Sequence, residues 1–292
     1  MKYINDFLEY LKINKKYSIN TIKSYEDDLI EYYEIINKNV LNINEDIVRI
    51  YLSYLYDKKL NRNSVSRKLS SVRSFYNYLY SMDVIDKNYF NDIHNPKKIK
   101  GLPHFLKEEE IDKLFDIPDI NNPLGQRNLL IIEMLYATGV RVNELVNIKL
   151  KDIDKYNDSI KIIGKGSKER IVFYGSFCKH SLELYLKVGR RELDKKGSEY
   201  LFLNKYGNKL SDRMIRNILD DLMLKSGIDT HVHPHMVRHT FATDMLNSGA
   251  DLMTVKELLG HENIDTTSIY THVTDEQIRK VYDNCHPRAK EK

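Results

Sequence analysis

The sequence is poor in the features that mark exported proteins. Only two of its 292 residues are cysteine, Cys178 and Cys285, and their separation does not match metal-binding spacing. Cysteines used this sparingly predict a reducing, cytoplasmic compartment and exclude a disulfide scaffold. The amino-terminal stretch mixes charges into its apolar positions, which indicates an amphipathic helix and not a signal peptide.

Long apolar runs, low-complexity tracts and internal repeats are also missing. The longest strongly apolar run, residues 129–140, is shorter than the ~20 residues that a membrane-spanning helix needs, and it contains Glu133. A membrane partner is therefore not expected. Apolar residues nevertheless make up 41% of the chain, which is enough for sizeable cores, and 292 residues favour two domains.

The excess of positive over negative charge is small, with a net charge of +4, but basic residues are concentrated in one segment. Residues 58–82 carry six basic side chains and no acidic one. A one-sign stretch on a helical pattern predicts a phosphate-binding surface, and a solvated helix face is the alternative. The candidate DNA-contacting residues are Lys58, Lys59, Arg62, Arg67, Lys68 and Arg73.

Helical periodicity dominates residues 1–90. Four segments with apolar residues at three-and-four spacing predict a small helical bundle. Ser18, Asn44 and Ser64 precede three of these segments, and they are the expected N-caps.

The character of the chain changes after residue 90. Residues 91–106 contain prolines, a glycine and a lysine cluster, which predicts a linker. Residues 107–292 read as mostly helical, with Gly139 as a left-handed helix cap. Three short β-like runs, 148–153, 159–164 and 170–174, interrupt the helices. The expected second domain is thus mixed α+β with a small three-stranded antiparallel sheet, in a chain that is mainly α.

Polar residues that suit phosphate chemistry are scattered through the second domain. Singly, each has a structural explanation: Arg141 can form a local salt bridge with Glu144, a turn lysine is usually solvated, and a histidine suits a helix carboxyl end. Taken together they form a set that merits a chemical explanation: Arg141, Lys165, His235, Arg238, His261 and Tyr270. His235 and Arg238 are three apart and so share a helix face.

The order and spacing of five motifs make the chain resemble a known family. The motifs are ATGVRVNEL (137–145), IIGKGSKERIVF (162–173), HPHMVRHTFAT (233–243), LLGHENIDTTSIYTHV (258–273) and HPRA (286–289). They resemble those of the tyrosine site-specific recombinases of the phage integrase family, and within it the Xer branch. The resemblance covers nearly the whole chain, including an amino-terminal SAM-like core-binding domain.

The resemblance implies a DNA cleavage and rejoining enzyme with Tyr270 as nucleophile. It assigns the six residues above as catalytic, with Lys165 as general acid, and implies a 3′-phosphotyrosyl intermediate. Lys168 and Arg170 are expected to position phosphates. Two arginines can neutralise the charge of the reacting phosphate, so no metal or other cofactor is expected. The covalent phosphotyrosyl link conserves the bond energy, so ligation is expected to need no ATP.

The resemblance also implies partners. These are double-stranded DNA with a dif-like site and a homo- or hetero-tetramer on DNA. A second Xer-type recombinase and a DNA translocase act with some members of the family, and the sequence leaves open whether they act with this one. A helix near 275–283 is expected to dock in trans on a neighbouring subunit, and packing in cis is the alternative. Three other functions stay open: a mobile-element integrase or invertase, a type IB topoisomerase, and a DNA-binding protein without catalysis.

Overall fold

The computed structural model describes residues 1–37, 39–96, 105–164, 168–228, 233–260 and 274–290. The chain divides into two compact units, 1–102 and 103–292, and the division falls within the segment predicted as a linker. In the described parts of the chain, no helix is both long and apolar enough to cross a membrane.

The described residues of the amino-terminal unit form four helices, as the periodicity predicts. They are α1 (Lys2–Ile13), α2 (Ile19–Ile35), α3 (Glu45–Asp57) and α4 (Arg62–Ser81). The predicted caps Ser18 and Asn44 are confirmed, because their side chains accept from the backbone N–H groups three residues on. The cap predicted at Ser64 is wrong. Asn61 caps α4 instead, and its side-chain oxygen accepts from the Ser64 N–H at 2.8 Å.

Aromatic side chains fill the core of this unit. Tyr32, Tyr51, Phe75, Tyr76 and Phe90 are all fully buried. The hydroxyls of Tyr32 and Tyr76 hydrogen-bond each other at 2.8 Å, which satisfies two polar groups inside an apolar cluster.

The second unit is built on a central buried helix, α6. Its nine helices are α5 (Glu108–Asp116), α6 (Pro123–Thr138), α7 (Val142–Val146), α8 (Ser176–Leu184), α9 (Arg190–Leu193), α10 (Asp212–Ser226), α11 (Pro234–Asn247), α12 (Leu252–Leu259) and α13 (Asp275–Cys285), counted over the described residues. A π-helical turn, Tyr185–Gly189, joins α8 to α9. Helices α5, α8, α10 and α11 all contact α6, so α6 is apolar around most of its surface.

The three-stranded antiparallel sheet has the order β1 (Ile153–Asp154), β2 (Ser159–Ile163), β3 (Glu169–Phe173). Ile160 pairs with Val172, and both are buried on the inner face. The first strand was expected over 148–153, and most of that prediction is wrong. Residues Leu150–Asp152 form a 3-10 turn, because the Asp152 carboxylate accepts from the Lys149 N–H and closes the chain locally.

The predicted carboxyl-terminal helix is present as α13. In this single chain it packs in cis on α11, α12 and β3, and buries Ile278 and Tyr282 in a cluster with Phe173 and Phe241. Trans docking therefore stays a prediction for the assembled complex. The predicted fold class, a helical SAM-like domain followed by a mixed α+β domain in a mainly α chain, is confirmed.

Candidate active site

The turn between α6 and α7 presents Arg141. Gly139 ends α6 in the left-handed conformation, with φ of 59°, as predicted. An added Cβ there would lie 2.6 Å from the Phe241 ring, so only glycine fits. Arg141 is the N-cap of α7; its backbone N–H donates to Glu144 at 2.8 Å and its Nη1 donates to the same carboxylate at 2.9 Å. Its side chain stays 40% exposed, which leaves one face open to a ligand.

Helix α11 carries the second predicted arginine on a buried scaffold. Pro234 occupies the first turn, as expected from its missing N–H. Val237, Phe241 and Met245 are fully buried, which confirms the predicted core face. The rest of the helix is therefore held rigidly, and Arg238 projects from a fixed position.

Arg238 bridges the ends of two helices. Its Nη1 donates to the Gly139 carbonyl at 2.5 Å, and its Nη2 donates to the Leu259 carbonyl, at the end of α12, at 2.6 Å. Burial, with a further repulsion from Arg141, lowers the pKa of Arg238 to about 10, so it stays charged at neutral pH.

His235 lies one turn from Arg238 on the same helix and is exposed. Desolvation lowers the pKa of His235, and the positive charges of His233, Arg238, Arg216 and Arg141 lower it further. The imidazole is therefore neutral at pH 7 and can accept a proton. His233 has a structural role, because its Nδ1 accepts from the Met236 N–H and caps α11.

Arg141 and Arg238 converge on the carboxyl end of α12. Arg141 donates through Nη2 to the Gly260 carbonyl at 3.3 Å, and Arg238 donates to the preceding carbonyl, that of Leu259. The structure thus brings three of the six predicted residues to one region. Lys165, His261 and Tyr270 lie outside the described residues.

The described residues that precede Lys165 and His261 lie in the same region. Gly164, which precedes Lys165, lies close to Glu144, because a Cβ built on Gly164 would be 3.5 Å from Glu144 Oε1. Gly260, before His261, ends α12 in the left-handed conformation.

Arg170 was predicted to position phosphates, and the structure gives it a different set of partners. Its Nη1 and Nη2 donate to the two oxygens of Glu144 at 3.0 and 2.7 Å, and its Nε donates to the Leu258 carbonyl at 3.1 Å. These partners lie on other elements of the fold, and the positioning of phosphates by Arg170 stays a prediction. Lys168, from the same motif, is exposed.

Two of the six candidate DNA-contacting residues in the first unit also face inward. Lys68 is buried and donates to Glu31 at 2.5 Å and to Asp28 at 3.2 Å. Arg73 donates to the carbonyls of Phe90 and Ile93. Both predictions are corrected, because each cation is held by partners that the local sequence does not reveal.

The other four candidates in this unit are exposed: Lys58, Lys59, Arg62 and Arg67. Arg67 also forms an ion pair through its guanidinium with buried Asp28, while its side chain stays 48% exposed.

Glu144 is the important residue that sequence reasoning undervalued. It was considered only as a local partner of Arg141, three residues away. Desolvation acts to raise the pKa of Glu144, but hydrogen bonds from Arg170 and Arg141 lower that pKa below its usual value. The buried carboxylate is therefore ionised. The available signal was the spacing Arg-x-x-Glu at a helix start; the contribution of Arg170 left no local trace.

Comparison with known proteins shows the family of this chain. Residues 104–277 match the phage integrase family, and residues 4–82 match the phage integrase N-terminal SAM-like domain. Tyrosine recombinase XerC of Oceanobacillus iheyensis is 47% identical over 294 residues, covering 98% of this chain and 96% of that protein. Tyrosine recombinase XerC of Staphylococcus saprophyticus is 47% identical and covers 97% of each.

Solved structures show the same fold. The crystal structure of XerA recombinase is 29% identical, with a TM-score of 0.52 over 99% of this chain and 100% of that one. XerH bound to its difH substrate has a TM-score of 0.69 at 22% identity, over 97% of this chain and 81% of that one, which shows the fold alone.

The chain therefore belongs to the phage integrase family, among the tyrosine recombinases of the Xer type. It is an enzyme that cleaves and rejoins DNA in site-specific recombination, as the motifs predicted.

Proposed function

We propose that this enzyme resolves chromosome dimers at a dif-like site in the cytoplasm, through a covalent 3′-phosphotyrosyl intermediate. The observation that carries the chemical part is the convergence of Arg141 and Arg238 on the carbonyls of Gly260 and Leu259. In the DNA-free protein these carbonyls accept hydrogen bonds from Arg141 and Arg238. The two non-bridging oxygens of a phosphate can accept the same hydrogen bonds in their place. Phosphate is the stronger acceptor, because it is charged and matches the planar guanidinium fork.

In the proposed first step, the Tyr270 phenolic oxygen attacks the scissile phosphorus. A P–O bond to tyrosine forms while the bond from phosphorus to the 5′-oxygen breaks. Negative charge grows on the non-bridging oxygens, where Arg141 and Arg238 stabilise it. Loss of one such donor typically slows the reaction about 100- to 1000-fold.

Two proton transfers complete this step. His235, which is neutral at pH 7, accepts or relays the proton of Tyr270. Lys165 gives a proton to the leaving 5′-oxygen, and His261 donates a hydrogen bond to the phosphate. Rejoining reverses these transfers, and the bond energy kept in the phosphotyrosine makes ATP unnecessary. Since the arginines balance the phosphate charge, the proposed reaction needs no metal.

The biological target is proposed from the relatives. The curated relatives at 47% identity are named tyrosine recombinase XerC, and the solved XerH complex contains a difH substrate. A dif-like duplex is therefore the favoured partner, bound by a tetramer in which α13 of each subunit docks on the next. A second Xer-type recombinase and a DNA translocase complete the proposed assembly.

Exposed cations of the first unit are proposed to contact the DNA backbone: Lys58, Lys59, Arg62 and Arg67. With Lys168 in the catalytic unit, they fit non-specific contacts to phosphates, which position a protein on DNA without reading bases.

Covalent trapping tests this proposal. Purified protein is incubated in EDTA with a nicked duplex that carries a dif-like site, so that cleavage loses a short strand and cannot reverse. We expect a slower band on a denaturing protein gel for the wild type and for Tyr156→Phe, a control at a tyrosine that is 95% exposed. Tyr270→Phe should bind the DNA and give no such band.

Other outcomes distinguish the alternatives. If an adduct forms on mobile-element ends and none forms on dif-like DNA, the proposed target is wrong and the enzyme is a mobile-element integrase. An adduct that forms only with metal would contradict the proposed chemistry.

A further inference from the structure

The carboxyl end of α12 is held by three arginines from three other elements. The successive carbonyls of Leu258, Leu259 and Gly260 accept from Arg170, Arg238 and Arg141, in that order. The end of a helix carries unsatisfied carbonyls and a partial negative charge, so this is a favourable place for cations. Tyr270 follows Gly260 by ten residues in the sequence.

Arg170 differs from Arg141 in having little open surface. Its side chain is 15% exposed, against 40% for Arg141. Three of its nitrogens are already bonded, two to Glu144 and one to the Leu258 carbonyl. A Cβ on Gly260 would come within 3.1 Å of its guanidinium, so the helix end packs directly on it.

Glu144 links Arg170 to Arg141. Its Oε1 accepts from Nη1 of both arginines, and its Oε2 accepts from Arg170 Nη2 and from the backbone N–H of Arg141. All four hydrogen bonds are between 2.7 and 3.0 Å long. The orientation of Arg141 is therefore set by a carboxylate that Arg170 holds in place.

We propose that Arg170 is a positioning residue for DNA cleavage. It fastens Glu144 to the end of α12, and so fixes the Arg141 guanidinium relative to the helix end that precedes the nucleophile in the sequence. This inference rests on the proposed function, in which Arg141 binds the scissile phosphate and Tyr270 attacks it. A lysine cannot replace Arg170, because a single ammonium does not reproduce a planar fork bound to a carboxylate on one side and a carbonyl on another.

The test compares Arg170 with a matched structural arginine in the same unit. Arg190 is also buried, and it bonds Asp194 and the carbonyls of Ser198 and Tyr200. Arg170→Lys, Arg170→Gln and Arg170→Ala are measured beside Arg190→Lys and Arg190→Gln. The readouts are the single-turnover rate of adduct formation at saturating nicked DNA, the Kd for DNA and its salt dependence.

We expect Arg170→Gln and Arg170→Lys to form adduct about 100-fold more slowly, as for a misplacement of about 1 Å, with Kd changed less than about twofold. Guanidinium ion added to Arg170→Ala should restore part of the rate. Folded Arg190 variants should cleave at the wild-type rate. A wild-type rate for Arg170→Gln would overturn the proposal, and so would a weaker Kd with a salt slope reduced by about 1, which is the signature of a phosphate contact.

A second measurement does not depend on cleavage. In DNA-free protein, hydrogen exchange should accelerate in Arg170→Gln at the Arg141 N–H, which donates to Glu144, and at the Gly260 N–H, which donates to Glu257. Unchanged exchange at both amides would overturn the role of Arg170. Because wild-type adduct formation is scored separately with Tyr270→Phe, failure of the proposed function is seen independently.

Discussion

Arg288, near the carboxyl end of the chain, forms an ion pair with Glu133 in the middle of helix α6. Its Nε donates to Glu133 at 3.2 Å, and its Nη2 donates to the other carboxylate oxygen. The guanidinium also lies between the rings of Phe115 and Phe177, with centroids at 3.9 and 4.0 Å. The tail after α13 is thus anchored on the central helix of its own unit.

This anchor predicts a pH-dependent effect of removing Arg288. Burial raises the pKa of Glu133, and Arg288 opposes that effect. Without Arg288 the carboxylate is buried and unpaired, which costs about 3 kcal/mol in similar cases. We expect Arg288→Leu to lower the free energy of unfolding more at pH 8 than at pH 5, because Glu133 takes up a proton at low pH. Urea denaturation at the two pH values checks this, and an equal loss would contradict it.

Gly175 provides a test of whether the tail is docked. A Cβ at this position would lie 2.2 Å from the Arg288 carbonyl oxygen and 2.4 Å from the Ala289 Cα. Gly175→Ala should therefore displace residues 286–290 and speed their removal by carboxypeptidase. Gly164→Ala is the control, because its Cβ meets only ordinary contacts, at 3.5 Å and beyond. Equal digestion of the two variants would mean that the tail is not docked there in solution.

His286 should make the stability of the second unit depend on pH. Its Nε2 donates to the Tyr136 carbonyl at 3.2 Å and its Nδ1 accepts from the Arg288 N–H, so the neutral ring satisfies both partners. Burial lowers the pKa of His286 from 6.5 to about 4. The unfolded chain therefore binds more protons between these values, and stability present at pH 7 is lost as the pH falls below 6.5.

The expected loss from this one histidine between pH 7 and pH 5 is about 2 kcal/mol. His286→Gln should be less stable at pH 7 but should lose about 2 kcal/mol less than the wild type over the same interval, measured by urea denaturation. Parallel losses in the two proteins would show that another group controls the acid sensitivity.

The proposed general acid predicts a chemical rescue. Lys165→Ala should cleave ordinary DNA slowly, because the leaving 5′-oxygen needs a proton. A 5′-bridging thiolate leaves without one, so a sulfur-substituted substrate should restore the rate of the variant. The two substrates are compared by single-turnover adduct formation. If Lys165→Ala cleaves ordinary DNA normally, Lys165 has no acid role.

Substitutions of an exposed and of a buried cation in the first unit should have different effects on DNA binding and on stability. Lys59 is exposed, and its replacement by glutamine should reduce the slope of log K against log salt by about 1 while leaving stability unchanged. Lys68 is buried against Asp28 and Glu31, so Lys68→Met should destabilise the unit and leave the slope unchanged. Filter binding at several salt concentrations and urea denaturation measure the two quantities. A reduced slope of log K against log salt in Lys68→Met would show that Lys68 contacts DNA.

Local signals predicted the local structure well. Ser18 and Asn44 cap their helices, and Gly139 ends α6 in the left-handed conformation, because each feature depends on atoms within four residues. The same kind of reasoning misplaced the cap of α4, since Asn61 and Ser64 are both good capping residues and only the folded geometry selects one. It also misread residues 150–152 as strand, where Asp152 closes a turn.

The amino-acid sequence by itself determined the helical content, the core face of α11 and the set of residues suited to phosphate chemistry, because these follow from short-range spacing and residue type. Only the tertiary structure decided which cations are available to DNA. Lys68 reaches Asp28 40 residues away, and Arg170 reaches the Leu258 carbonyl 88 residues away. A buried cation needs an acceptor wherever the fold can supply one, and that acceptor leaves no mark beside it in the sequence.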